Sequence, residues 1–174
     1  LCNLATLLFA QNRISEAEDN YHEALLNQNV FPECYFGLGN LLMHQGRLAE
    51  AEENFKIALK QKENFPQALC NLGNVFKELR RFSESEISYR RAIEFDPSFA
   101  IAHNCLGTLL LEQGQWEAAL DSYQRCLSID SENMMAHSNL LFAMSFQFTS
   151  SPEQCKKQSG IYAKQVLKKA NPYQ

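Results

Sequence analysis

The sequence repeats itself every 34 residues, and this period constrains the fold more than any other feature. A Leu-Gly pair recurs at Leu38, Leu72 and Leu106, each leucine being followed directly by its glycine. A period of this length predicts stacked supersecondary units, each burying its apolar face against its neighbours. Three further slots keep the same spacing: a small residue at Ala17, Ala51, Ser85 and Ala119, an aromatic residue at Tyr21, Phe55, Tyr89 and Tyr123, and a second small residue at Ala24, Ala58, Ala92 and Cys126.

Within each unit the apolar residues predict two helices joined by a short turn. In one unit they recur at helical spacing over residues 38–42 and again over residues 48–59. Between the two runs a left-handed residue is expected just past the end of the first helix. A residue other than glycine pays about 1 kcal/mol for that conformation. The turn slot holds Asn12, Gly46, Arg80 and Gly114.

This pattern resembles the tetratricopeptide repeat (TPR) family over residues 1 to about 147. The resemblance is specific because the Leu-Gly pair, the small and aromatic slots and Asp96-Pro97 occur together at fixed offsets. It implies an all-α fold, a right-handed TPR superhelix of antiparallel helix pairs (an α-solenoid) with a C-terminal closing helix. We expect residues 1–147 to hold four repeats, the first one truncated, and the first helix of a fifth. Because Leu1 falls inside a first helix, we also expect the chain to be an excerpt of a longer array.

Residues 148–174 depart from the repeat and predict a loop and a capping helix that leads to a further domain. Ser151 is a good N-cap, Pro152 suits the first helical position, and Asn171-Pro172 follows the last one. We therefore expect a helix over residues 152–170 that closes the array. Its apolar residues Tyr162, Val166, Leu167 and Ala170 are expected to cover Leu140, Leu141 and Met144 of the fifth first-helix.

Two strings near this junction carry a narrower resemblance. Ser138-Asn-Leu-Leu-Phe-Ala-Met and Ser151-Pro-Glu-Gln are similar to the end of the TPR array in bacterial O-GlcNAc-transferase-like glycosyltransferases. The string Asn71-Leu-Gly-Asn is also similar to the asparagine-lined groove of that family. The resemblance implies the substrate- or partner-recruiting arm of such an enzyme. The alternative is a free-standing TPR adaptor or assembly scaffold with no attached enzyme.

The TPR resemblance implies that the first helix of each hairpin lines a concave groove for a protein or extended peptide. Asparagine is a poor helix former, but its amide carries a donor and an acceptor that suit a peptide main chain. Two interpretations stay open: the recurring asparagines bind the ligand, or they occupy a solvated face and cap contacts between helices. The predicted groove residues are Phe36, Asn40, Met43, Cys70, Asn71, Asn74, Lys77, Asn104, Thr108, Leu111 and Phe142.

The six cysteines follow repeat slots rather than pairs, which predicts reduced, mostly buried thiols and no disulfide. None stands in a C-x-x-C pair or at zinc spacing from a histidine. His103 and His137 share one slot without a recurring third ligand, so we expect packing residues and no metal. No nucleophile–base constellation, phosphate loop or catalytic carboxylate pair is recognisable. We therefore expect neither catalysis nor a cofactor from this chain.

Charge is distributed unevenly along the chain. The net charge of −4 disfavours nucleic acid as a partner. Residues 1–152 carry −8 and residues 153–174 carry +4, so the lysines of the tail form either a solvated helix face or a docking surface for an acidic element. No run approaches about 18 apolar residues, and we expect no membrane contact. Together these features predict a cytoplasmic protein, with weak self-association through the open N-terminal end of the array.

Overall fold

The computed structural model describes residues 1–26, 31–145 and 152–170, and within these ranges it contains helices and no strand. The all-α prediction is therefore confirmed. The described helices are α1 (Cys2–Ala10), α2 (Ile14–Leu25), α3 (Pro32–His44), α4 (Leu48–Gln61), α5 (Pro66–Glu78), α6 (Phe82–Phe95), α7 (Ala100–Glu112), α8 (Trp116–Ile129), α9 (Met134–Ser145) and α10 (Pro152–Ala170).

The chain divides into two compact units, residues 1–95 and residues 96–174. Unit 1 consists of the hairpins α1–α2, α3–α4 and α5–α6, in which α3 contacts both α1 and α2, and α5 contacts both α3 and α4. Unit 2 consists of the hairpin α7–α8 followed by α9, which contacts both helices of that hairpin, and by α10, which contacts α9. Each unit is thus a stack of helices in which a hairpin is covered by the next first helix.

In the four hairpins that the structure describes, the turn between the two helices contains the left-handed residue predicted from the repeat. The backbone is left-handed at Asn12 (φ 60°), Gly46 (φ 76°), Arg80 (φ 61°) and Gly114 (φ 75°). The next amide then donates to the carbonyl five residues earlier, as in the bond of 2.9 Å from the Arg47 amide to the Leu42 carbonyl. This bond satisfies a carbonyl at the helix end that would otherwise lack a partner.

The glycine and aromatic slots meet inside each hairpin. A Cβ atom added at Gly73 would lie 2.6 Å from the ring of Tyr89, and one at Gly107 would lie 2.7 Å from the ring of Tyr123. The aromatic ring therefore occupies the space that the glycine of its own hairpin leaves open. Tyr89 and Tyr123 are fully buried as a result.

Arginines in one slot link neighbouring hairpins of unit 1 through ion pairs. Arg47 binds Glu50 of its own hairpin at 2.5 Å and also Glu18 of the preceding hairpin. Arg81 repeats the arrangement, with Glu84 at 2.6 Å in its own hairpin and Glu52 at 2.6 Å in the preceding one. Each arginine therefore spans an interface that the 34-residue period alone does not reveal.

These contacts keep the glutamates ionised below their ordinary pKa of 4.5. The pKa of Glu18 is lowered by a hydrogen bond from Gln45, against the opposing effect of burial, and further by Arg47. For Glu52 burial raises the pKa, but the hydrogen bonds from Lys56 and Arg81 outweigh it. A lowered folded pKa contributes stability that is fully present above the unfolded value and is lost as the pH falls through the folded value.

We therefore expect the double variant Arg47→Met/Arg81→Met to be measurably less stable than the parent at neutral pH, because each arginine links two hairpins through an ion pair. The difference should shrink as the pH falls below about 4.5, because the glutamates lose their charge in both proteins. Chemical denaturation across this pH range measures it. A difference that stays constant down to strongly acidic pH would contradict the ion-pair account.

In unit 2 the shared histidine slot has a packing role. The Nε2 atoms of His103 and His137 lie 3.1 Å and 3.0 Å from the carbonyl oxygens of Pro97 and Ser131. The Nδ1 atom of His137 also lies 2.8 Å from the side-chain amide of Gln158 on α10. If Nε2 carries the proton, each imidazole donates to a carbonyl and His137 also accepts from Gln158. No group of three potential metal ligands occurs among the residues that the structure describes.

The predicted closing helix is present with the predicted bounds, residues 152–170. Tyr162 is half-buried, whereas Val166 is 38% exposed and contributes less cover than expected. Leu140, which needed cover, is buried. The structure does not describe the side chains of Leu167 and Ala170. The predicted N-cap Ser151 and the pair Asn171-Pro172 after the helix also lie outside the described residues.

The prediction of free thiols throughout is wrong for one pair. Cys2 and Cys34 form a disulfide, with their Cα atoms 5.5 Å apart. Cys34 occupies the slot held by Ala68 in the following repeat, and the slot-by-slot comparison treated it as a small apolar residue. The facing positions of α1 and α3 are 32 residues apart, so a search at the repeat spacing does not find them. Cys70, Cys105 and Cys126 are thiols outside this pair.

Candidate functional site

The predicted groove residues lie on first helices, and the two units carry them separately. In unit 1 they belong to α3 and α5, and in unit 2 to α7 and α9. The side chains of Cys70 and Asn104 are buried, with 1% and 8% of their surface exposed. These two therefore support their neighbours and present almost no surface to a ligand. Phe142, in contrast, is 58% exposed.

Phe36 supplies apolar surface on α3 of unit 1, and two buried aromatic rings pack against it. The ring of Phe36 lies 4.8 Å from that of Phe65 and 6.0 Å from that of Phe55, centroid to centroid. Phe36 and Met43 pack against the buried core while remaining partly exposed. The ammonium group of Lys62 lies 4.5 Å from the centre of the Phe65 ring. Phe36 and Met43 are thus fixed by the core and still offer apolar surface.

The asparagines of unit 1 are bound to neighbouring side chains. The Nδ2 atom of Asn71 donates to Oδ1 of Asn40 at 2.6 Å, across the interface between α5 and α3. The hydroxyl of Tyr89 donates to Oδ1 of Asn74 at 2.7 Å, within one hairpin. All three asparagines therefore make contacts between helices, which is one of the two interpretations that the sequence left open.

The partner of each amide follows from the aromatic slot. Where this slot holds tyrosine, its hydroxyl reaches the polar residue fifteen positions earlier, as Tyr89 reaches Asn74 and Tyr21 reaches Thr6 at 2.9 Å. Phe55 has no hydroxyl, so the equivalent Asn40 accepts from Asn71 instead. In unit 1, the amide of Asn74 is thus held within its own hairpin by Tyr89, whereas that of Asn40 is held by Asn71 of the next one.

Each of these amides uses only part of its hydrogen-bonding capacity in the described contacts. Asn40 and Asn74 each accept through Oδ1, and their Nδ2 groups have no described partner. Asn71 donates through Nδ2, and its Oδ1 has no described partner. All three side chains are half-buried. The surface of α3 and α5 therefore offers two amide donors and one amide acceptor. Their orientations are fixed by the hydrogen bonds that the same side chains make to Asn71, Asn40 and Tyr89.

Unit 2 carries a related arrangement in which the hydrogen bonds are longer. The Nδ2 atom of Asn139 lies 3.2 Å from Oδ1 of Asn104, and the hydroxyl of Tyr123 lies 3.2 Å from Oγ1 of Thr108. Leu111 is half-buried near the end of α7, and Lys77 occupies the equivalent half-buried position on α5. Asn139 was not among the predicted groove residues. Its signal was present in the sequence, because it shares the slot of Asn71.

Comparison with known proteins identifies the repeat. Sequence models of the tetratricopeptide repeat match residues 2–68, 66–99 and 100–133, which together cover most of the chain. The chain belongs to the tetratricopeptide repeat family. No curated protein sequence matches this TPR chain. Among the residues that the structure describes, no helix is both long enough and apolar enough to cross a membrane.

Solved structures with the same architecture are similar to this TPR chain at low identity. MamA from Desulfovibrio magneticus RS-1 is 19% identical, with a TM-score of 0.77 over 99% of this chain and 94% of that chain. YrrB, described as a TPR protein with an unusual peptide-binding site, is 21% identical, with a TM-score of 0.72 over 94% and 84%. The O-GlcNAc transferase of Thermobaculum terrenum is 22% identical, with a TM-score of 0.71 over 76% of this chain and 26% of that chain.

Proposed function

We propose that this TPR chain is a non-catalytic scaffold that binds an extended segment of a protein partner along its first helices. The observation that carries the proposal is the half-used hydrogen bonding of Asn40, Asn71 and Asn74 on α3 and α5. A peptide main chain offers alternating carbonyl acceptors and amide donors, which match two Nδ2 donors and one Oδ1 acceptor. Because each amide is oriented by an internal bond, little conformational entropy is lost when a ligand binds.

Apolar side chains beside the asparagines supply the second part of the recognition. Phe36 and Met43 are anchored in the core of unit 1 and partly exposed. Unit 2 has a separate surface of its own, on which the ring of Phe142 is largely exposed on α9 and Thr108 and Leu111 are half-buried on α7. An extended segment places alternate side chains toward the surface that it lies on. We infer that the partner segment carries apolar residues at alternate positions.

The context that we favour is the recruiting arm of an O-GlcNAc-transferase-like glycosyltransferase, with α10 leading into a further domain. It is supported by the junction strings around residues 138–154 and by the fold shared with the Thermobaculum terrenum enzyme. A free-standing scaffold is the second candidate. It is supported by MamA, which matches over nearly the full length of both chains. The sequence downstream of Gln174 in the gene distinguishes them, because a long α/β glycosyltransferase region is required only by the first.

The peptide-binding proposal is tested by replacing the Nδ2 donors of Asn40 and Asn74 while keeping the oxygen of each side chain that accepts an internal hydrogen bond. Asn40→Asp and Asn74→Asp retain an oxygen that accepts from Asn71 and Tyr89, but they replace the outward donor with an acceptor. We expect the double variant to keep its helicity and to capture linear peptides selected on the parent at least several-fold more weakly. Each lost hydrogen bond of about 1 kcal/mol corresponds to roughly fivefold in affinity.

A matched control separates hydrogen bonding from net charge. The double variant Gln61→Glu/Gln124→Glu adds the same charge at exposed positions on α4 and α8, and its capture should equal that of the parent. Replacing Asn40, Asn71 and Asn74 together with alanine should also weaken capture, although it removes the internal bonds as well. Equal capture by the parent and the Asn40→Asp/Asn74→Asp variant would mean that the asparagines are structural only.

A further inference from the structure

Two pairs of neighbouring first helices are joined by side-chain amides. Asn71 of α5 donates to Asn40 of α3 at 2.6 Å in unit 1. Asn139 of α9 donates to Asn104 of α7 at 3.2 Å in unit 2. Hydrogen bonds between amides are unaffected by oxidants and thiols, so these two interfaces are held in the same way under all redox conditions.

The interface between α1 and α3 lacks the equivalent hydrogen bond. The repeat places Gly37 in the slot of Asn71 and Thr6 in the slot of Asn40. Gly37 has no side chain, and a Cβ atom added there would collide with the ring of Tyr21. The hydroxyl of Thr6 is hydrogen-bonded to Tyr21, 2.9 Å away in the same hairpin. Among the described contacts, no side-chain hydrogen bond joins α1 to α3.

The Cys2–Cys34 disulfide joins α1 to α3 instead. At the next interface its two slots hold Phe36 and Ala68, which are unable to form a covalent link. Cys2 packs against the same buried cluster as Phe36 and Met43, the two apolar residues of the proposed binding surface. The one covalent link between described first helices therefore lies beside that surface.

We propose that the Cys2–Cys34 bond is a reversible redox site, and that its reduction weakens capture of the partner segment by α3 and α5. This inference rests on the proposed peptide binding. The reactant is a small thiol such as glutathione. Its thiolate attacks one sulfur and forms a mixed disulfide, while the other cysteine leaves as a thiolate and takes up a proton. A second thiol then releases the first as a free disulfide, and the chain has gained two electrons and two protons.

Reduction affects binding because it leaves α1 without a tether to α3. What then holds the two helices together is apolar packing around Ala5, Leu8 and Leu38 and the ring contact of Phe9 with His44, 5.6 Å between centroids. A less restrained α1 gives the adjoining surface of α3 more conformational freedom, which a bound segment has to remove. The oxidised chain is preorganised and should therefore bind more tightly.

Two other described cysteines are protected from the same chemistry. Cys70 and Cys126 are buried, with 1% and 0% of their surface exposed. Burial raises the pKa of the Cys126 thiol to about 11, so at neutral pH it stays protonated and is a poor nucleophile. Cys105 is half-buried and lies outside the disulfide, which makes it the matched control.

The test measures the affinity of the full chain for a cysteine-free linear peptide, selected on the oxidised protein, before and after reduction with dithiothreitol. The reduced parent should bind roughly threefold or more weakly, since fewer of its groups are preorganised. Cys34→Ala should bind like the reduced parent under both conditions, because Ala68 shows that alanine suits this slot. Cys105→Ala should respond to reduction as the parent does.

The outcomes separate this inference from the proposed function. Equal affinity of the oxidised and reduced parent for the captured peptide would overturn the redox site alone. Undiminished capture by Asn40→Asp/Asn74→Asp would instead contradict the asparagine-based binding. Hydrogen exchange without peptide is a second readout: reduction should accelerate exchange in α1 more than in α5 and α6. An identical response of these helices would show that the bond does not act locally at the α1–α3 interface, and would also overturn the inference.

Discussion

Replacing Gly73 with valine is expected to destabilise unit 1 by about 1–3 kcal/mol, the usual cost of forcing extra atoms into a packed core. A Cβ atom at this position would lie 2.6 Å from the Tyr89 ring, so the ring or the helix must move. Tyr89 is fully buried and its hydroxyl donates to Asn74, so movement of the ring also strains this hydrogen bond. Damage should spread to the neighbouring hairpins, because each repeat is stabilised by its interfaces.

Thermal and urea unfolding of Gly73→Val against the parent measure this effect. Gly160→Ala is the matched control: nothing lies within 4 Å of an added Cβ atom there, and alanine favours a helix interior by about 1 kcal/mol over glycine. The penalty at Gly73 should also be smaller in a Tyr89→Leu background, since both changes act on one contact. If Gly73→Val melts with the parent, the assignment of the glycine–aromatic contact is wrong.

Loss of the Cys2–Cys34 bond should have an effect of similar size. The bond joins residues 32 positions apart, and closing a loop of this length contributes about 2–4 kcal/mol to stability. Cys34→Ala is the mildest probe, because Ala68 fills the equivalent slot of the next repeat. Under non-reducing conditions, we expect this variant to unfold at lower denaturant concentration than the parent, and the parent in reductant to behave like the variant.

Peptide mapping without reduction provides the direct check, since a linked pair of peptides containing Cys2 and Cys34 should be recovered. Cys105→Ala is a suitable control, because Cys105 lies outside the pair and its stability should respond to reductant as the parent's does. Recovery of Cys2 and Cys34 as alkylated free thiols from unreduced protein would contradict the pairing and restore the expectation drawn from the repeat slots.

Several features could be predicted from sequence because they are set within one hairpin. The left-handed turn at Asn12, Gly46, Arg80 and Gly114 depends on a local backbone conformation that recurs at the repeat period. The packing role of His103 and His137 was predicted from the slot that they share, and each ring lies within hydrogen-bond distance of a carbonyl six residues earlier in the chain. The bounds of α10 followed from local capping signals.

The candidate site was predicted less completely. The sequence identified the first helices and the recurring asparagines, but not that Asn40 and Asn71 bind one another. It placed Cys70 in the groove, where the structure buries it. The predicted groove residues also did not include Asn139, although it shares the repeat slot of Asn71. A slot comparison indicates which residues are equivalent, and equivalence does not state which of them are in contact.

The sequence alone thus determined the repeat, the hairpins and their turns, because these depend on residues close together in the chain and recur every 34 positions. Only the tertiary structure decided how one hairpin meets the next in unit 1. There the partners are offset from the repeat: Arg47 and Glu18 are 29 residues apart, Asn71 and Asn40 are 31 apart, and Cys2 and Cys34 are 32 apart. The offsets depend on the tilt and rise between stacked helices, which the packing of side chains sets and a periodic comparison of residues does not contain.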